Sequence, residues 1–142
     1  MREELPEFAA DILMRLRARS PRVHCITNAV AQTFTANTLL AAGAVPSMTL
    51  AADEIGAFVA RADALLVNLG TFDDERREAT AAALEVAGER RIPWVLDPVF
   101  IDRSAARADY AKALVAQHPA AVRLNGAEFA ALSGGEIGRA HV

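Results

Sequence analysis

From Val23 onward the chain alternates short β-branched apolar runs with longer segments of helical period, and it does so repeatedly in one order. The runs are Val23 to Ile26, Val45 to Leu50, Ala64 to Leu69, Trp94 to Leu96 and Ala121 to Leu124. A strand separated from the next by a helix cannot turn back as a hairpin, so this order implies crossover connections and a parallel sheet. Ala64 to Leu69 (ALLVNL) is apolar throughout except for Asn68, as expected of a strand buried on both faces. The expected fold is α/β: a three-layer arrangement of mainly parallel strands with helices on both faces.

The intervening segments carry their own punctuation. Phe8, Ile12 and Leu16 share one face of a first helix, with Glu3, Glu4 and Pro6 at its start, Arg17 and Arg19 at its end, and Pro21 to stop it. A second helix spans about Val30 to Ala42 and stops at Gly43; Asp53 and Glu54 open a short third that ends near Arg61. Thr71 or Asp73 caps a fourth, acidic in its first turn, with Gly88 near its end. A fifth covers about Ala105 to Ala116 and a sixth begins near Gly126.

Composition narrows the function classes. With 15 basic against 18 acidic residues, net charge −3, and no Lys/Arg run longer than a pair, the chain offers no electrostatic footprint for nucleic acid or an anionic membrane. No stretch approaches the roughly 20 apolar residues of a membrane span. The single cysteine, Cys25, excludes an internal disulfide framework and a multi-cysteine metal site, which suits a reducing cytoplasm. A small molecule is the expected partner. His24 and Cys25 are neighbours in a strand, point to opposite faces and cannot form a nucleophile-base pair with each other.

In open parallel sheets, ligands bind outside the carboxyl ends of the strands. There the apolar runs give way to Thr27-Asn28, Ser47-Met48-Thr49, Asn68-Leu69-Gly70-Thr71, Asp97-Pro98 and Arg123-Leu124-Asn125. Five polar endings on one edge predict a pocket. Taken one by one, the residues stay ambiguous. Met48 is either a polarizable wall for a flat ring or core filler. Asn28 either hydrogen-bonds a ligand or holds a turn. Asn125 and Glu128 form N-x-x-E, which is either part of a cation shell or an ordinary capping box. Arg123 suits a phosphate better than burial, and Asp97 before Pro98 is equally a strand-terminating turn.

The stretch HCITNAVAQTFTANTLLAAGAVPSM (His24 to Met48), with its TN-x-V-x-x-x-x-T-A-N core, resembles the N-terminal signature of the hydroxyethylthiazole kinase family. ALLVNLGT (Ala64 to Thr71), PWVLDPV (Pro93 to Val99) and PAAVRLNGAEFAAL (Pro119 to Leu132) are similar to later blocks of the same family, in the same order. The resemblance implies a ribokinase-like enzyme that uses ATP and Mg²⁺ to phosphorylate 4-methyl-5-(2-hydroxyethyl)thiazole in thiamine salvage, assembled as a homotrimer. By position it assigns Met48 and Asn28 to the thiazole pocket, Arg123 to ATP, and Asn125, Glu128 and Asp97 to the metal. Two departures stand out. Phe100 replaces a glycine common after D-P-V, and Leu124 replaces the glycine of R-G-N, where it cannot follow into positive φ.

The family's glycine-rich anion hole and its adjacent catalytic residue belong to a C-terminal half with no counterpart here. The resemblance thus implies that residues 1–135 are the N-terminal part of one kinase domain, truncated and inactive alone, with no catalytic residue of its own. Glu136 to Val142 (EIGRAHV) is what GAG-ATC-GGA-AGA-GCA-CAC-GTC encodes, and all but the first base matches a common sequencing adapter. Residues 136–142 are therefore expected to be a non-native tail, an expectation that other codons for Ile137 to Val142 in the coding DNA would refute. A hydroxymethylpyrimidine kinase, or a non-catalytic α/β module that binds a ligand or a subunit, remains the alternative reading.

Overall fold

The computed structural model describes residues 4–134; the expected tail at 136–142 lies outside them. The elements follow as α1 (Leu5–Arg19), β1 (Arg22–Ile26), α2 (Gln32–Ala42), β2 (Val45–Ser47), α3 (Ile55–Val59), β3 (Ala64–Asn68), α4 (Asp74–Arg90), β4 (Trp94–Asp97), α5 (Ala105–Val115), β5 (Ala121–Val122) and α6 (Gly126–Leu132). All four pairings in the sheet are parallel, in the order β2-β1-β3-β4-β5. The chain steps from β1 out to β2, returns past β1 to β3, and continues to β4 and β5. Right-handed crossovers then put α2 on one face and α3, α4 and α5 on the other.

The core lies on the α3-α4-α5 side. Ile26, Leu65, Val67 and Leu96 point from the strands toward Ile55, Val59, Ala79, Ala83, Ala87, Ala111 and Leu114, all buried. The alanines let α4 approach the sheet closely. On the opposite face Cys25 is buried, whereas no residue of α1 or α2 is. The stripe expected along α1 is half-exposed in consequence, with Phe8 at 64% and Ile12 at 43%.

Most helix ends follow the expected chemistry. Gly43 closes α2 at φ 100, and a Cβ there would sit 3.0 Å from the Arg17 backbone of α1, so turn and helix contact both require glycine. Asp73, not Thr71, caps α4 by accepting from the Arg76 N–H. The helix runs through Gly88 to Arg90, because Arg91 at φ 55 supplies the left-handed terminal residue. β2 stops at Ser47 instead of Leu50: it is an edge strand, Pro46 has no N–H to give, and the Thr49 carbonyl is taken by the His24 ring at 3.1 Å. β5 is two residues long, although the Arg123 N–H still reaches the Leu96 carbonyl at 2.8 Å. α2 starts two residues later than expected, after a turn closed by the Ala31 N–H on the Asn28 carbonyl.

Candidate functional site

Strand register brings the polar endings into one line. β3 and β4 pair Asn68 with Asp97, while β1 lies against β3, two strands away in sequence but adjacent in space. The Asn28 side-chain NH₂ donates to Asn68 Oδ1 at 3.2 Å, and Asn68 Nδ2 donates to Asp97 Oδ2 at 3.2 Å. Arg123 Nη1 reaches the same Asp97 oxygen at 3.3 Å. A hydrogen-bonded row thus crosses from β1 through β3 and β4 to the end of β5. It unites three residues singled out in the sequence, Asn28, Asp97 and Arg123, through a fourth, Asn68, that the sequence marks only as a strand ending.

The loops around the row are tied to each other. Thr71 Oγ1 accepts from the Ala29 N–H at 2.9 Å, joining the turns after β1 and β3. Arg76, buried in the first turn of α4, donates from Nε to the Thr27 carbonyl at 2.9 Å and pairs with Asp73 at 2.7 Å. The Arg76 backbone N–H, and after it the Arg76 guanidinium, hold the Asp73 carboxyl below its ordinary pKa. His24 is buried, with Nδ1 2.7 Å from Ser47 Oγ, and burial lowers its pKa. It links β1 to the chain after β2. Cys25 on the other face has its thiol pushed up to about 11 by burial, which makes it a poor nucleophile. Met48 follows β2, half-buried and outside the row.

Asp97 is 9% exposed, and burial raises its pKa despite Arg123. Glu128 adds to the rise by repulsion. Glu128 itself is 6% exposed. Asn125 and Glu128 form a complete capping box: Asn125 Oδ1 accepts from the Glu128 N–H at 2.8 Å, and Glu128 Oε2 accepts from the Asn125 N–H at 3.0 Å. Two side-chain oxygens of the site, Asn28 Oδ1 and Asp97 Oδ1, are buried with no hydrogen-bond partner. Among the described residues no three His, Cys, Asp or Glu side chains cluster as a ready-made metal site.

Beyond β4, Phe100 holds φ 64. Its ring lies under the guanidinium groups of Arg103 and Arg107, 5.2 and 5.7 Å from the ring centre. Arg107 also donates to the carbonyls of Leu69, Gly70 and Val99, fastening the loop after β3 to the one after β4. Leu124 is not among the residues of positive φ, so R-L-N needs no glycine here. A cleft of about 460 Å³ opens beside β2 between Pro46 and Phe58, and one of about 360 Å³ lies at the amino end of β4 near Trp94 and His118. Neither is lined by any of the six predicted site residues.

A parallel sheet of order 2-1-3-4-5 with a polar row along the carboxyl ends of its strands defines a doubly wound α/β protein, with that row where such folds hold small ligands. Residues 13–141 match the model of the Hydroxyethylthiazole kinase family, and the chain belongs to that family. It is 51% identical over 120 residues to a probable hydroxyethylthiazole kinase of Agrobacterium fabrum, covering 84% of this chain and 49% of the relative. It is 47% identical over 126 residues to the hydroxyethylthiazole kinase of Cronobacter sakazakii, covering 89% of this chain and 48% of the relative. The solved structure of a hydroxyethylthiazole kinase from Pyrococcus horikoshii OT3 is similar with a TM-score of 0.87 and 37% identity, over 94% of this chain and 53% of that one. The chain therefore spans about half the length of the relatives it matches. Among the described residues, no helix is long and apolar enough to cross a membrane.

Proposed function

We propose that this chain supplies the substrate side and part of the metal side of a kinase that transfers the ATP γ-phosphoryl group to the hydroxyl of 4-methyl-5-(2-hydroxyethyl)thiazole. The observation that carries the reading is the row from Asn28 to Arg123, in a chain whose relatives are named as hydroxyethylthiazole kinases. Asn28 and Met48 take the thiazole alcohol, Asn28 by hydrogen bonding and Met48 as an adaptable apolar wall. Arg123 is bonded to Asp97 at 3.3 Å but 78% exposed, which leaves the other donors of its guanidinium open to a nucleotide phosphate.

The donor set fits a divalent cation. Asp97 keeps one buried oxygen without a partner, and the negative charge of Glu128 disfavours its ionised form, so Asp97 and Glu128 would hold a divalent cation whose charge would relieve both costs. Mg²⁺ is usually held by one or two carboxylates with water and phosphate completing its shell, which matches two carboxylates and no closed cage. When bound, it neutralises charge on the nucleotide phosphates. Asn125 holds Glu128 through the capping box. Asn68 and Arg123 keep Asp97 oriented.

As half of such an enzyme, the chain binds without turning over, in a cytoplasmic protein whose full-length form is a homotrimer. Purified full-length protein from the same locus is expected to form the thiazole phosphate from ATP, and the 142-residue chain alone to form none. Arg123→Ala in the full-length protein raises KM for ATP at least tenfold with a smaller effect on KM for the alcohol. Preference for a hydroxymethylpyrimidine over the thiazole would overturn the substrate assignment, and a monomeric mass in sedimentation would overturn the trimer.

A further inference from the structure

Asn68 receives the Gly70 backbone N–H on its Oδ1 at 2.8 Å. A backbone amide can only donate, so this bond fixes which end of the Asn68 side chain is oxygen. Flipping the amide would set its NH₂ against the Gly70 N–H and its oxygen against the Asp97 carboxylate. The orientation of Asn68 dictates that of Asn28 in turn, because an oxygen faces Asn28 and only its NH₂ can answer, at 3.2 Å. The polarity of the row is therefore set two bonds from Asn28, by main chain. Asn28 Oδ1 is left directed away from Asn68, buried and without a donor. Gly70 is part of the device, since a Cβ on it would come within 2.7 Å of Asn28 Cβ and 2.9 Å of both Asn28 Nδ2 and Asn68 Oδ1.

We propose that Asn68 is the positioning residue of the site: by fixing the amide of Asn28, it makes the Asn28 oxygen an acceptor, so that the ligand group taken there is a hydrogen-bond donor. This rests on the thiazole reading of Asn28 and adds its polarity. The hydroxyl of an alcohol satisfies the orphaned oxygen, whereas an ether oxygen at the same place leaves two acceptors facing each other. At the other end, Asn68 donates to Asp97 Oδ2 and so leaves Asp97 Oδ1 as the spare acceptor. Asn68 thereby orients both the alcohol and the cation sides without touching either ligand.

The test uses the 142-residue chain, its Asn68→Ala and Asn68→Asp variants, and circular dichroism to establish that each is folded. Without ligand, the Asn28 side-chain amide protons are followed by NMR. Slow exchange is expected in the parent chain and in Asn68→Asp, which gives up the donor to Asp97 but keeps an acceptor toward Asn28 and Gly70, with exchange at least tenfold faster in Asn68→Ala. Rapid exchange in the parent chain, or equal exchange in all three, overturns the proposal without any variant needing to bind. With ligand, 4-methyl-5-(2-hydroxyethyl)thiazole and its methyl ether are titrated separately. The alcohol is expected to bind at least tenfold tighter in the parent and in Asn68→Asp, with the ratio falling below threefold in Asn68→Ala. An ether that binds the parent as well as the alcohol overturns the proposal. If neither compound binds, the thiazole reading of Asn28 fails, and the exchange measurement still decides whether Asn68 fixes its amide.

Discussion

Phe100 is a residue the local backbone does not favour. At φ 64 its Cβ crowds the following carbonyl, a strain of roughly 1–2 kcal/mol for an L-residue, while the ring recovers part of that beneath Arg103 and Arg107. Removing the ring in two ways separates these effects. Phe100→Ala loses the ring and keeps the strain, whereas Phe100→Gly loses both, so the glycine variant should unfold about 1 kcal/mol later than the alanine variant in urea titrations. Equal stabilities would mean that the left-handed backbone does not persist. Asp97 gives a pH-dependent counterpart. Its folded pKa is raised, chiefly by burial, so the folded state holds the proton more tightly than the unfolded one. The resulting stabilisation is complete below the unfolded carboxyl pKa of about 3.9 and is lost as pH rises through the folded value. The side-chain amide of an Asp97→Asn variant does not titrate in this range. The variant should gain on the parent steadily through that window, and parallel stability-pH curves would contradict the buried carboxylate. Asn28, Asp97 and Arg123 were legible as site candidates because each interrupts an apolar run at a strand end. The centrality of Asn68 was not, because it depends on β1 lying beside β3, a neighbour relation that linear order does not contain.

Helix ends show how local chemistry carries over to the site. α6 has seven residues, too few to hold by propensity, and its capping box is the feature that orders its first turn and Glu128 with it. Asn125→Ala should cost about 1 kcal/mol and speed amide exchange throughout α6 relative to α5; an unchanged exchange pattern would show that packing alone holds the helix. From spacing alone N-x-x-E reads first as a capping box, and the cap geometry bears that out without consuming the cation role: the second Glu128 oxygen remains outside the box. Arg76 was invisible as a determinant for the opposite reason. In sequence it is one half of an Arg pair in an acidic first turn, yet Arg76 is buried on the Thr27 carbonyl while Arg77 pairs with Asp74 at the surface. The β-α alternation carried the helices and the parallel pairing because both follow from local period. Strand lengths at the two sheet edges did not follow: β1 and β4 both run on past their last pairing with β2 and β5, and at β2 it is Pro46 and the His24 ring on the Thr49 carbonyl that end the ladder early.

The molecule as a whole is lopsided. The face covered by α3, α4 and α5 contains the continuous core, while α1 and α2, which touch each other across the opposite face, leave Phe8, Met14, Phe34 and Leu40 more than half exposed. Large apolar side chains gathered on two adjacent helices favour association over a monomer in water. Their exposure also means that they contribute little to the stability of the folded chain, because burial is what makes an apolar side chain stabilising. The two consequences can be separated in one variant. Phe8→Gln with Phe34→Gln should change the unfolding free energy by no more than about 0.5 kcal/mol, as for surface positions generally. The same pair should lower the concentration-dependent rise of the sedimentation mass expected of the parent chain. A large loss of stability would show that these rings pack within the chain itself. Unchanged association at unchanged stability would move the sticky surface to the open edges at β2 and β5, whose unpaired backbone groups are the remaining place for a second chain to add.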